Sequence, residues 1–231
     1  MKRIVLKLSG EALAGEAEFG FDPAIADRIC AEIAGVAKRC QIAIVLGGGN
    51  LFRGGALELA GMDRVTGDHI GMLATLMNGL AFGDCLKRAQ LKPRLFSSVP
   101  ISGIARGYSR DDAVQALEEG AVVILAGGTG NPLFTTDTTA TLRGIEIGAD
   151  CVLKATKVDG VYSADPMLDP AAIRYDRLTY DQVISQDLKV MDTAAIALCR
   201  DHGMPVVVFD MASVGTLTRL INGEMVGTRI D

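Results

Sequence analysis

Six short runs rich in branched apolar residues punctuate the chain: RIVLKL (3–8), IAIVL (42–46), RLF (94–96), AVVILA (121–126), CVLKA (151–155) and PVVVF (205–209). Their apolar residues are consecutive rather than alternate, the pattern of strands covered by helices on both faces. Between the runs the period lengthens to that of a helix. In 22–40, Asp22 can cap, Pro23 suits the first turn, and Ile25, Ile29, Ile33, Val36 and Cys40 repeat on one face. A second helix is expected over about 66–89. A third should start after Ser109, whose hydroxyl with Asp112 three residues on resembles a capping box, and end before Gly120. A fourth follows the loop 128–140. Two more are expected near 192–202, closed by Gly203, and 215–221, closed by Asn222 and Gly223. Strand and helix therefore alternate. This implies an α/β fold: a doubly wound, mostly parallel open sheet with helices on both faces, three layers in all, and ligands in the crevice outside the carboxyl ends of the strands. With no repeat, low-complexity segment or linker in it, the chain reads as a single domain over 1–231 whose two halves can hold different ligands.

Three strand exits share one feature, residues with little or no side chain. They are Lys7-Leu8-Ser9-Gly10, then Gly47-Gly48-Gly49-Asn50, then GTGNPLFTTDTTA (128–140). One such loop merely turns the chain, and asparagine with proline says turn as well. Three of them at the same end of a sheet suggest backbone N–H groups gathered around phosphate, helped by a following helix N-terminus. Neither GxxxxGK[ST] nor, at the exit of the first strand, GxGxxG is present, so a P-loop or dinucleotide fingerprint does not explain them. Lys7 has apolar neighbours Val5, Leu6 and Leu8, and an ammonium in a covered strand end needs an anionic partner, unless its stem carries it to water. Arg53 follows the second loop. A helix dipole contributes about 1 kcal/mol or less. A cation placed on charge that develops in a transition state is worth on the order of 10²–10³ in rate. The glycine loops would bind, and Lys7 would accelerate.

Composition narrows the field. At 231 residues the chain can bury roughly 70–75% of its unfolded surface, and 49% hydrophobic with 22% charged residues is globular, with an excess of glycine at 27. A net charge of −5 without a basic tract argues against nucleic acid or an anionic membrane as partner. Five scattered cysteines without a CxxC pair (Cys30, Cys40, Cys85, Cys151 and Cys199) fit reduced thiols and a cytoplasmic protein rather than a disulfide framework or a zinc site. The apolar stretch near the N-terminus is too short for a signal peptide, and 70–86 is interrupted by polar residues that disfavour a membrane span. His69 and His202 lie too far apart in sequence to suggest a metal cluster.

Together, KLSGEAL, GGGNLFRG, GDHIGMLATLMNGLA, GTGNPLFTTD and LKATKVDGVYSADP closely resemble the bacterial uridylate kinases of the amino acid kinase superfamily, nearly end to end and in order. The resemblance implies magnesium-dependent transfer of the γ-phosphoryl of ATP to UMP, giving UDP for pyrimidine nucleotide synthesis. It implies that Lys7, Leu8, Ser9, Gly10, Gly49 and Arg53 hold the ATP phosphates, and that Thr156, Tyr162 and Asp165 shape the adenosine site. UMP would lie on Gly48, Asp68, Thr129, Gly130, Asn131, Pro132, Leu133, Phe134, Thr135 and Thr136. Asp68 would take the ribose hydroxyls, and Asp137 would position lysine and metal beside the transferred group, so that Lys7, Arg53 and Asp137 carry the chemistry. The acceptor would lie on the N-terminal part of the domain and ATP on the C-terminal part.

Plainer readings stand beside these. Asp68 and Asp137 could be first-turn helix acids, Tyr162 could pack as core, and Lys189 with Asp192 in LKVMD could be a solvated pair. Leu133 departs from the family, whose members often carry two aromatic residues after the proline, and the helix start TTATLRG is unusually rich in threonine. The resemblance further implies a homohexamer built from dimers, activated by GTP through Gly15, Glu16, Ala17, Glu18, Phe19 and Gly20 and inhibited by UTP, although that glycine-bounded stretch also reads as a plain flexible loop. Two other functions share the glycine loops: a relative that phosphorylates a carboxylate or carbamate, and a nucleotide sensor without transfer activity.

Overall fold

The computed structural model describes residues 1–17, 19–52, 61–166, 168–169 and 171–231. Along the chain the elements are β1 (Arg3–Leu8), α1 (Gly10–Leu13), α2 (Pro23–Val36), β2 (Gln41–Leu46), α3 (Arg64–Arg88), β3 (Pro93–Ser97), β4 (Arg106–Gly107), α4 (Arg110–Glu118), β5 (Val122–Ala126) and α5 (Thr136–Glu146). There follow β6 (Cys151–Thr156), β7 (Val161–Tyr162), β8 (Arg174–Tyr175), β9 (Arg177–Leu178), α6 (Tyr180–Ser185), α7 (Thr193–His202), β10 (Val206–Asp210), α8 (Thr216–Ile221) and β11 (Thr228–Ile230).

The main sheet runs β4-β3-β5-β2-β1-β6-β10-β11-β9, and every neighbouring pair is parallel except β10 with β11. β1 is central, with β2 on one side and β6 on the other, so the chain builds the sheet outward first in one direction and then in the other. That reversal is where a ligand crevice forms at the strands' carboxyl ends. β7 and β8 make a separate antiparallel ribbon.

Strand residues alternate between two cores. Ile4, Leu6 and Leu8 of β1 face α2, α3 and α8. Val5 joins Ala43, Val45, Val123 and Val152 against α4, α5 and α7. Lys7 therefore points to the α5 side, the side of Val5.

The caps follow the local chemistry. Asp22 accepts from Ala24 N at 2.8 Å, and Pro23 opens α2. Ser109 accepts from Asp112 N at 3.4 Å. Gly203 closes α7 at φ +60°, a left-handed position that glycine takes without a Cβ clash. Two boundaries differ from expectation. α2 stops at Val36 because Arg39 N turns back to Val36 O at 2.9 Å, a tight turn that delivers Cys40 to the start of β2. α3 begins at Arg64 rather than near 66, because Asp63 accepts from Thr66 N at 2.8 Å and caps it. Among the described residues no helix is long and apolar enough to cross a membrane.

Candidate active site

The carboxyl ends of β1 and β6 lie side by side in register, Val5 against Val152, Leu6 against Leu153 and Lys7 against Lys154. Both lysines converge on Asp137 in the first turn of α5. Lys7 Nζ lies 2.8 Å from Oδ1, and Lys154 Nζ lies 2.7 Å from Oδ2 and also donates to Val190 O. Lys7 and Asp137 side chains are 8% and 13% exposed, so two ammoniums share one carboxylate out of water, with Asp192 acting on Lys154 from further off. Lys7 sits off the hydrogen-bonding direction of Oδ1, which has no directed partner. Burial drives the Asp137 pKa up, but Lys7 and Lys154 outweigh it and hold the carboxyl below its ordinary 3.8. Burial likewise pulls Lys154 below its ordinary 10.5, only partly opposed by Asp137.

Lys154 is a site residue that the sequence reading missed. The signal was there: Val-Leu-Lys occurs in both strands at the same height.

Asp137 is aimed by its surroundings. Thr135 caps α5, its hydroxyl accepting from Asp137 N at 3.1 Å and donating to Asp192. Thr138 Oγ1 donates to Asp192 at 2.9 Å, Asp192 caps α7 through Ala195 N at 2.9 Å, and Thr141 Oγ1 meets Cys199 Sγ at 3.3 Å. The threonine-rich start of this helix is thus the joint between α5 and α7. It also corrects the pairing considered for Lys189 and Asp192: Lys189 bonds exposed Asp187 at 2.6 Å, while Asp192 belongs to the joint.

Ser9 caps α1 through Ala12 N at 3.1 Å. A Cβ on Gly10 would stand 2.6 Å from Gly49 N, one on Gly47 2.6 Å from Gly10 N, and one on Gly48 2.9 Å from Gly71 O. These three glycines let the first two loops pack against each other and against α3. At Gly49 a Cβ would find nothing nearer than 3.8 Å, so of the four it leaves the most room for an incoming group.

The third loop meets α3 through Asp68, whose Oδ2 accepts from Leu133 N at 2.7 Å and whose carboxylate pairs with Arg64 at 3.1 Å. Asp68 lies one turn inside the helix, so the first-turn reading does not hold. Leu133 sits at φ +74°, unusual for a side chain with a Cβ. Thr129 Oγ1 is occupied within the loop, accepting from Asn131 N at 3.2 Å. The loop Thr129, Gly130, Asn131, Pro132, Leu133, Phe134, Thr135 and Thr136 and Asp68 therefore occupy one neighbourhood.

Thr156, Tyr162 and Asp165 line a cavity of about 450 Å³ with Val158, Leu188 and Val208. Tyr162 is not core: it is half-buried and donates to Asp159 at 2.6 Å. A larger cavity, about 790 Å³, is walled by Gly15, Glu16, Ala17, Phe19 and Gly20 opposite Arg28 and the ends of β6 and β10. Arg53 and Glu18 lie outside the described residues.

Comparison with known proteins gives consistent relatives. The model of the amino acid kinase family matches residues 2–210. A uridylate kinase of Marinobacter nauticus is 61% identical over 231 residues, 100% of this chain and 96% of the relative. A UMP kinase structure from Bacillus anthracis superposes with a TM-score of 0.96 at 39% identity, covering 100% of this chain and 96% of that one. A UMP kinase structure from Ureaplasma parvum gives 0.94 at 32% identity, covering 100% and 98%.

Proposed function

The chain belongs to the amino acid kinase family, and from that premise we propose that it is a UMP kinase, transferring the γ-phosphoryl group of ATP to UMP to yield UDP and ADP for pyrimidine nucleotide synthesis. The observation that carries the reading is the buried cluster of Lys7, Asp137 and Lys154 at the sheet's carboxyl edge. Two ammoniums share the one carboxylate they touch, and the next, Asp192, acts on Lys154 only from beyond Thr135 and Thr138, so the cluster favours a further anion at Lys7. A phosphoryl group in transfer supplies it.

UMP lies on Gly48, Asp68 and the loop 129–136, ATP on Lys7, Leu8, Ser9, Gly10, Gly49 and Arg53, with adenosine in the cavity of Thr156, Tyr162 and Asp165. The two phosphate chains then meet end to end at Lys7. A phosphate oxygen of UMP attacks in line on Pγ as the bond to the ADP oxygen breaks. The attacking oxygen is already ionised, so no general base is needed, and positioning with charge stabilisation carries the catalysis. Lys7 and Lys154 meet the charge on the transferred group, and Asp137 keeps both ammoniums charged and aimed.

Asp137 would face a magnesium ion held on the ATP phosphates. The described residues hold no group of three or more His, Cys, Asp or Glu side chains placed to hold a metal ion, and among them the one buried side-chain oxygen without a directed hydrogen bond is Asp137 Oδ1. This donor set suits an ion carried mostly by phosphates and water. When bound it neutralises phosphate charge.

The test is ADP release with ATP and, in turn, UMP, CMP, dUMP and N-acetylglutamate. UMP should give the highest kcat/KM. Turnover of N-acetylglutamate without turnover of UMP would assign the chain to carboxylate phosphorylation, and no turnover with any acceptor would leave a nucleotide sensor.

The assembly proposed is a homohexamer of dimers, in a reducing, cytoplasmic setting that suits five buried thiols. α3 exposes His69, Leu73, Met77, Leu80 and Asp84 along one seam, with Met77 59% exposed. Antiparallel pairing with a second copy sets Leu73 against Leu80 and His69 against Asp84, apolar at the middle and oppositely charged at the ends when the histidine is protonated. Met77→Glu should lower the mass measured by light scattering, and an unchanged mass would rule this seam out. Activation by GTP through the segment 15–20 and inhibition by UTP complete the proposal. Titration of each at fixed UMP tests them, and a flat response removes the effector claim.

A further inference from the structure

Beneath the glycine loops lies a polar pair that the mechanism above does not use. Asn50 and Asn78 are 0% and 1% exposed. Their carboxamides face each other and exchange hydrogen bonds, Asn78 Nδ2 to Asn50 Oδ1 at 2.7 Å and Asn50 Nδ2 to Asn78 Oδ1 at 3.1 Å. Each spends its second N–H on a backbone carbonyl, Asn78 on Gly47 O at 2.7 Å and Asn50 on Gly20 O at 2.7 Å. All four amide N–H groups are thereby used. Asn50 Oδ1 also lies directly behind Gly10, where a Cβ would come within 2.6 Å of it, and Gly20 N returns a bond to Asn50 O at 2.9 Å.

A buried, fully satisfied polar pair fixes position in a way that apolar packing does not, because its bonds are directional and breaking one leaves a group unpaired. This pair ties together three things: the exit of β2 at Gly47, whose next two residues are Gly48 and Gly49; the segment that ends at Gly20; and the middle of α3, while Gly10 in the first turn of α1 packs against it without a bond. Asp68 sits ten residues before Asn78 on that same helix, roughly 15 Å along a rigid rod. Nothing else among the described hydrogen bonds joins the Gly47 carbonyl to α3.

We infer that Asn50 and Asn78 are positioning residues for phosphoryl transfer: their amide pair sets the distance between the helix that carries Asp68 and the glycine cradle, and so the alignment of the acceptor phosphate with the donor. The inference rests on the UMP kinase reading. It separates alignment from contact. Asp68 and the cradle N–H groups still bind when the pair is broken, but the two phosphates no longer meet in line.

The experiment measures kcat and the KM for UMP and for ATP in Asn78→Leu, Asn50→Leu and the double variant at 25 °C, with folding followed by circular dichroism. Asn78→Ser and Asn50→Ser, which avoid overpacking, stand in if leucine is not accommodated. The wild type is assayed first, and absence of its turnover with UMP would defeat the kinase reading rather than this one. Each single variant should lose about tenfold or more in kcat, with both KM values within about threefold. The double variant should be no worse than the poorer single, because the two amides act as one unit. Wild-type kcat in a folded single variant would overturn the inference, and so would losses that multiply in the double variant or losses confined to KM.

Discussion

Lys7→Ala is expected to lower kcat by roughly 10²–10³-fold while leaving the protein folded. The size follows from where the ammonium sits. It lies out of water at the carboxyl end of the central strand, where a charge interaction is far less screened than at the surface. The tolerance follows from its neighbour. With Lys7 gone, Asp137 still pairs with Lys154 at 2.7 Å, so the variant buries no unpaired carboxylate. Steady-state rates with ATP and UMP, together with a thermal melt, check both halves. A wild-type rate would remove Lys7 from the chemistry, and an unfolded variant would make it a structural ion instead.

Asp137→Asn is expected to harm both activity and stability. The amide keeps the shape but removes the carboxylate that both buried ammoniums touch and leaves only the more distant Asp192 acting on Lys154, a change of about 3–5 kcal/mol for breaking a buried pair and roughly 6–20 °C in Tm for a chain of this size. kcat should fall at least as far as for Lys7→Ala, because both cations lose their aim. ATP should raise the Tm of this variant more than that of the wild type, since the phosphates supply the missing anion.

The pH dependence has a definite sign. The folded carboxyl titrates below its ordinary 3.8, so its stabilisation is complete above that pH and is lost as the pH falls through the depressed value. The variant lacks that acid-side loss. On the alkaline side the unfolded chain holds the Lys154 proton up to about 10.5 while burial makes the folded variant, without Asp137 to oppose it, release that proton earlier, so its stability should climb with pH over that window more steeply than the wild type's. Equal melts across pH would mean that the cluster is not the electrostatic centre described here.

The sheet was readable from sequence where its strands are long and covered on both faces, as β1, β2, β5, β6 and β10 are. It was not readable in β4, β7, β8, β9 and β11, two or three residues each, too short to show a period. In the site, Lys7 stood out as a charge at the end of an apolar strand, and Asp68 and Asp137 took their roles from the family motifs alone. Lys154 did not stand out, because one lysine in an apolar run also reads as a strand end reaching water. Its meaning comes from the β1–β6 register, which joins residues far apart in the chain. Asp192 was noticed without a role for the same reason, since Thr135 and Thr138 lie 57 and 54 residues away. The glycines read in the sequence as a phosphate cradle, whereas Gly10, Gly47 and Gly48 also serve packing between loops and helix, a reason visible only once α3 is in place.

A crystal structure with a non-hydrolysable ATP analogue and UMP tests the central claim most directly. The account predicts Lys7 Nζ within hydrogen-bonding reach of the terminal donor phosphate, about 3 Å, with the UMP phosphate in line beside it and the uridine ribose on Asp68. An ammonium still held by Asp137 and remote from both nucleotides, or nucleotides seated away from the ends of β1 and β6, would contradict it.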